Sequence, residues 1–168
     1  MESTGSDKKH FETKGWLKLD NAAKLFPAIS NNELTSVFRI TAVLNNPVNY
    51  NALKTATDIT AARFPYFSVS LGSGLFWHYL KFLNKPPGIH TEEAIPCTAF
   101  VVKMGNEPLY RILAKSNRIS VEFIHILTDG SGALEFLKTL LLIYLEKTGN
   151  KILSYDNIIT PDSEIDPQ

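Results

Sequence analysis

The chain has 168 residues, 44% of them hydrophobic and 20% charged, and its 17 basic residues are balanced by 17 acidic ones. That length fits one domain or one lobe of a larger one, and the zero net charge leaves no basic footprint for nucleic acid or for an anionic membrane. Cys97 is the single cysteine, which excludes an intrachain disulfide and a cysteine-rich metal site and points to a reducing compartment.

Residues 1–15 are polar and read as a disordered tail, without the apolar segment of a secretory signal. Order is expected from Trp16-Leu17-Lys18-Leu19, and Asp20 is placed to cap a short helix over Ala22 to Phe26, stopped by Pro27. Leu34 to Leu44 alternates as a strand, with Phe38, Ile40, Ala42 and Leu44 on one face and Val37, Arg39, Thr41 and Val43 on the other. After Asn45-Asn46-Pro47 a helix runs over about Asn49 to Arg63, capped by Asn49 or Asn51 and ended by Pro65. Tyr66 to Leu71 reads as a strand, Gly72-Ser73-Gly74 as a hairpin turn and Leu75 to Phe82 as the return strand. Asn84 to Ala94 reads as an irregular loop and Cys97 to Lys103 as a weak strand. Gly105 to Pro108 then turns the chain into a hairpin, Leu109 to Lys115 and Arg118 to Ile126, joined by Ser116-Asn117.

A long apolar helix from about Ser131 to Lys147 follows, with Gly149 as its stop. Its narrow polar stripe holds Glu135, Lys138, Thr139, Leu142 and Glu146. The apolar run Leu140 to Leu145 is too short, and too closely flanked by Lys138 and Glu146, to span a bilayer. Residues 16–149 form the expected lobe, and residues 150–168 read as a linker or C-terminal tail. The order strand, helix, hairpin, hairpin, helix implies an α+β fold: a mixed, mostly antiparallel sheet with packed helices. A cytoplasmic protein without a membrane span is expected.

The chemistry-bearing stretch is Phe123 to Gly132. Alternation puts Ile119, Val121, Phe123 and His125 on one strand face, so His125 is expected as the last inward residue before a turn. Imidazole is the side chain best matched to general-base work near neutral pH. Asp129 follows in the turn, Gly130 and Gly132 allow close approach, and the next helix offers its N-terminal N–H groups. A histidine so placed also serves as a satisfied core residue, and Asp129-Gly130 also serves as an ordinary helix cap and turn. His78 reads as an edge histidine, His90 lies in a proline-rich loop and His10 in the tail, so no metal cluster is expected. Cys97 reads as a small buried hydrophobe.

His125-x-x-x-Asp129-Gly130, after a β-hairpin and before an apolar helix, resembles the active-site motif of the chloramphenicol acetyltransferase-like superfamily. This superfamily includes condensation domains of nonribosomal peptide synthetases, plant-type acyltransferases and alcohol acetyltransferases. Leu17 to Pro27, Ala62-Arg63-Phe64-Pro65-Tyr66-Phe67, and Phe136-Leu137-Lys138 with Tyr144 resemble the flanking segments of the alcohol acetyltransferase type. The resemblance implies a single lobe of that fold, the N-terminal one. It implies transfer of an acyl group from acyl-CoA or another thioester to an alcohol or amine. His125 is then the general base, Asp129 is structural and paired with an arginine, and Gly130 keeps clearance beside the substrate tunnel. Acyl-CoA is a co-substrate, and no cofactor is bound.

The chain departs from the family pattern in three ways. Ile124 stands where many condensation domains have a second histidine. Ser68 stands where relatives often have the arginine that holds the aspartate, leaving Arg63 or Arg39 as substitutes. Two-lobed members carry a second lobe, and single-lobed ones complete the site between subunits, so a missing C-terminal lobe or a homo-oligomer is the expected partner. The alternative is a non-catalytic lobe that binds an acyl thioester, a carrier or a partner lobe.

Overall fold

The structure is a computed structural model that describes residues 16–18, 33–34, 36–73, 78–83, 85–92, 95–101 and 108–163. The expected N-terminal tail, the helix over Ala22 to Phe26 and residues 105–107 of the expected turn lie outside these residues. In chain order the strands are β1 (Trp16–Lys18), β2 (Glu33–Leu34) and β3 (Val37–Val43), followed by helix α1 (Tyr50–Arg63). Next come β4 (Val69–Ser73), β5 (His78–Phe82), β6 (Ile89–Thr91), β7 (Phe100–Val101), β8 (Tyr110–Lys115) and β9 (Arg118–Ile124), and then helix α2 (Gly130–Lys147).

The strands gather into a four-stranded sheet in the order β3-β9-β8-β6, a three-stranded sheet β1-β5-β4 and the pair β2-β7. Among the described residues every pairing is antiparallel except β6 with β8, which makes the fold α+β with mixed, mostly antiparallel pairing. The tight turn of the β8–β9 hairpin needs a left-handed residue, and Ser116 supplies it at φ 55°.

Both helices start and stop where their caps dictate. Asn49 Oδ1 accepts from the N–H groups of Asn51 and Ala52, each at 3.1 Å, and Arg63 is the last helical residue before Phe64-Pro65. Asp129 caps α2, and Gly149 takes the left-handed conformation, φ 79°, that ends it. The helices pack on one face of the four-stranded sheet. Leu53 and Ala56 of α1 and Phe136, Leu140 and Ile143 of α2 share a core with Tyr110, Ile112, Ile119, Val121 and Phe123. Tyr144 ties the end of α2 to the start of α1 by accepting from the Asn49 N–H at 3.0 Å. A second cluster, Val69, Leu71, Leu80, Leu109, Ile124 and Ile126, joins the other sheet face to β4 and β5.

Several segments differ from the sequence reading. Pro65–Phe67 is a turn of 3-10 helix, closed by Ser68 N–H to Pro65 O at 3.1 Å, and not the start of a strand. Proline at its first position presets the turn, and Phe67 points into the aromatic core through Tyr110, Phe123 and Phe136. Gly72 and Ser73 belong to β4, with Ser73 opposite His78, so the hairpin connection falls at residues 74–77, outside the described ones. The expected loop of Asn84 to Ala94 contains β6, whose parallel register puts His90 opposite Leu113. Thr139 and Leu142, placed in the polar stripe of α2, are buried. The reason is residues 151–163, which lie back along the helices. Ile159 O accepts from Thr139 Oγ1 at 2.6 Å, and Thr160 O accepts from Arg63 Nε at 3.1 Å.

Candidate active site

The two residues that flank His125 determine where it goes. Ile124 and Ile126 are buried in the cluster with Val69, Leu71 and Leu109, and a turn closes between them with Leu127 N–H donating to Ile124 O at 2.8 Å. With its neighbours facing one way, the His125 side chain is directed the other way, toward the side of Phe123 and Phe38. Its own N–H donates to Ser36 O at 2.9 Å, pinning the turn to the chain entering β3.

His125 is therefore not the inward end of a buried strand. β9 stops at Ile124, and His125 is an exposed first residue of the turn. Its ring lies 4.3 Å from that of Phe38, tilted by 32°. Neither imidazole nitrogen has a hydrogen-bond partner among the described residues. A described cavity of about 420 Å³ between Val43–Asn49 and the end of α2, and one of about 390 Å³ beside Pro65, Ser68 and Phe82, do not include His125.

Asp129 is exposed, with its Oδ1 accepting from Gly132 N–H at 2.9 Å. It pairs with neither Arg39 nor Arg63. Arg63 bonds the Thr160 carbonyl and lies over the Phe64 ring, 5.7 Å from its centroid. Arg39 is engaged on the far face of the sheet. The aspartate–arginine pair implied by the family resemblance is replaced here by a helix cap. Gly130 opens α2, and a methyl group built there meets nothing within 4 Å. Gly132 is the crowded glycine, since a side chain there collides with Thr128 Oγ1.

The far face carries a cluster that sequence reading did not single out. Glu122 of β9 is fully buried. Arg39 Nε donates to its Oε1 at 2.7 Å, Arg111 Nε to its Oε2 at 2.6 Å, and the Cys97 N–H to Oε1 at 2.8 Å. Arg39 also pairs with the buried Glu92, which Arg118 approaches to 2.9 Å. Burial alone raises the Glu122 pKa, but the Cys97 N–H and the two guanidiniums outweigh it and hold the carboxyl below its usual value. Opposed charges at matching register on β3, β9 and β8 were the available signal: Arg39, Glu122 and Arg111 are direct cross-strand partners. The same contacts fold the segment around Cys97 over the sheet. Cys97 is half-buried, and burial, with the Glu122 carboxylate, pushes its thiol up, so it is a poor nucleophile. His90 is exposed and borders a cavity of about 90 Å³ with Arg39, Thr98 and Arg111.

Among the described residues no group of three or more His, Cys, Asp or Glu side chains is placed to hold a metal. No helix among them is long and apolar enough to cross a membrane.

No protein-family model matches the sequence, and no curated protein does. Solved structures match its fold. The SgcC5 protein from Streptomyces globisporus superposes with a TM-score of 0.64 at 13% identity, over 86% of this chain and 40% of that one. A variant of the starter condensation domain of rhizomide synthetase RzmA, in complex with C8-CoA, superposes with a TM-score of 0.64 at 12% identity, over 83% and 38%. The X-domain from teicoplanin biosynthesis, in complex with OxyB, superposes with a TM-score of 0.58 at 17% identity, over 79% and 32%. This chain thus spans about two fifths or less of the length of these structures. The chain carries the chloramphenicol acetyltransferase-like fold of the condensation-domain structures, in the form of a single lobe.

Proposed function

We propose that the chain is the N-terminal, base-supplying lobe of an acyl-CoA-dependent acyltransferase, moving an acyl group from a thioester to an alcohol or amine. The observation that carries this is the exposed imidazole of His125, without a hydrogen-bond partner among the described residues, at the strand-to-helix turn, with the Asp129 cap and the open Gly130 directly after it. A fold neighbour solved with C8-CoA supports a coenzyme A thioester as the donor class.

His125 takes the proton from the acceptor's hydroxyl or amine as that group attacks the thioester carbonyl. The tetrahedral intermediate then collapses, the C–S bond breaks, and the thiol leaves with the proton that His125 returns. The donor acyl group ends on the acceptor, and no acyl-enzyme is needed. Asp129 has an architectural role, holding the first turn of α2 under the histidine, and Gly130 leaves space for the substrate. The exposure of His125 fits a site whose second wall comes from another lobe or subunit. Thioester cleavage by the full-length protein across a panel of acyl-CoA donors, read as free thiol released with an alcohol or amine acceptor, tests the reading. Release that depends on the acceptor supports it, and the absence of release with every donor contradicts it.

A second reading has its own support. This chain spans at most about two fifths of the matched structures, and one of them, the X-domain, is solved in complex with a partner, OxyB. A lobe that binds a thioester, a carrier or a partner without turnover is the alternative, and the neighbour's complex supports its partner-binding form. Binding of a non-hydrolysable acyl-CoA without any turnover favours it.

A further inference from the structure

The imidazole of His125 is held by rings. Register sets Tyr110 of β8 opposite Phe123 of β9, and Phe123 opposite Phe38 of β3. The three side chains form a cross-strand ladder. Tyr110 and Phe123 are 5.5 Å apart with 15° between their planes, and Phe123 and Phe38 are 5.9 Å apart at 25°. His125 is two residues beyond Phe123 and shares its face, which makes it the diagonal neighbour of Phe38. At 4.3 Å and tilted by 32°, its ring packs against that of Phe38 at the end of the ladder.

The base of the ladder is buried and enclosed by other rings. Tyr110 and Phe123 are fully buried. Phe67 and Phe136 meet Phe123 edge-on, at 5.5 Å and 70° and at 5.6 Å and 85°. Phe38 is half-buried, and its ring contacts both Phe123 of the ladder and the imidazole. An exposed histidine whose nitrogens have no partner among the described residues would otherwise exchange between staggered rotamers, and a base must stand in one of them when the acceptor arrives. A hydrogen bond would fix the ring by occupying one nitrogen. A ring packed against it restrains its orientation without occupying either nitrogen.

We infer that Phe38 is the positioning residue for His125, orienting the imidazole for proton transfer through their ring contact. This rests on the reading of His125 as the base. Phe38 touches no reacting atom, and its role is exerted through the histidine.

The test combines NMR of the chain with acyl-transfer kinetics of the full-length protein, using Phe38→Leu, Phe38→Tyr and His125→Ala. Phe38→Leu keeps an apolar side chain against the core, so the lobe is retained. Expected is loss of the ring-current shift of the His125 ring protons in Phe38→Leu, with the rest of the spectrum largely unchanged, and its return in Phe38→Tyr. Expected in turnover is a kcat lowered roughly ten- to hundredfold in Phe38→Leu at unchanged KM, the scale of a misoriented group, with recovery in Phe38→Tyr. His125 resonances indifferent to Phe38→Leu overturn the ring contact. A lost shift with kcat intact, or a change in KM alone, overturns the positioning role while the base stands. Turnover that survives His125→Ala removes the base, and the positioning role with it.

Discussion

Arg39 and Glu122 face each other across β3 and β9, with Nε donating to Oε1 at 2.7 Å, on a sheet face where Glu122 has no exposure at all. A buried carboxylate with two guanidiniums and a backbone N–H is satisfied only while every partner stays. Glu122→Gln is expected to cost on the order of 3 kcal/mol, the scale of breaking a buried pair, read by urea denaturation. The exposed Lys54–Asp58 pair, at 3.3 Å, is the control, and Lys54→Ala is expected to cost less than about 0.5 kcal/mol. Because Glu122 is held below its usual value of 4.5 in the folded state, its contribution is fully present above about pH 4.5 and is lost as pH falls through the folded value. Glu122→Gln is expected to flatten that acid limb.

Asp129 acts on the first turn of α2 through its bond to Gly132 N–H. Asparagine caps as well as aspartate, so Asp129→Asn is expected to keep the parent stability, whereas Asp129→Ala loses about 1 kcal/mol. A melting curve for Asp129→Asn identical to the parent, combined with lost turnover, would show that the carboxylate takes part directly in the chemistry.

The two glycines of the motif are expected to separate. Gly130→Ala meets open space and improves helix propensity, so stability is expected to hold or rise by up to about 1 kcal/mol. If Gly130 provides clearance for substrate, turnover falls in that variant while stability does not. Gly132→Ala collides with Thr128 Oγ1 and is expected to destabilise, with Thr128→Ala restoring stability in the double variant. A double-mutant cycle gives the coupling.

Thr139 Oγ1 is the buried donor that holds residues 151–163 on α2 through Ile159 O. Thr139→Val keeps the shape and leaves that carbonyl without its partner, an expected loss of about 1–3 kcal/mol. Faster hydrogen exchange in residues 151–163 is the local readout.

Much of this architecture was legible before any coordinates, because it is written locally. Asn49, Pro65, Asp129 and Gly149 bound the two helices by capping and breaking rules that need no tertiary information. Ser116-Asn117 announces the β8–β9 hairpin, and the parity of Phe123 and His125 put them on one face. What sequence could not supply was the non-local pairing. Arg39 lies 83 residues from Glu122, and nothing short of the register reveals that they meet, or that Phe38 lies beside His125. The β6 strand is hidden for the same reason: Pro86, Pro87 and Gly88 are irregular as they read, but the three residues after them, Ile89–Thr91, pair in parallel with the distant β8. His125 reads as the last inward residue of a strand running to Ile126, whereas β9 ends at Ile124 and the turn from Ile124 to Leu127 exposes it.

The account turns on His125. In the full-length protein, the rate of acyl transfer from acyl-CoA by His125→Ala, compared with the parent under saturating donor and acceptor, is the most direct measurement. A loss of about two to four orders of magnitude in kcat, with an unchanged melting curve, is the predicted result for a positioned general base. A His125→Ala variant that turns over at the parental rate would contradict the account.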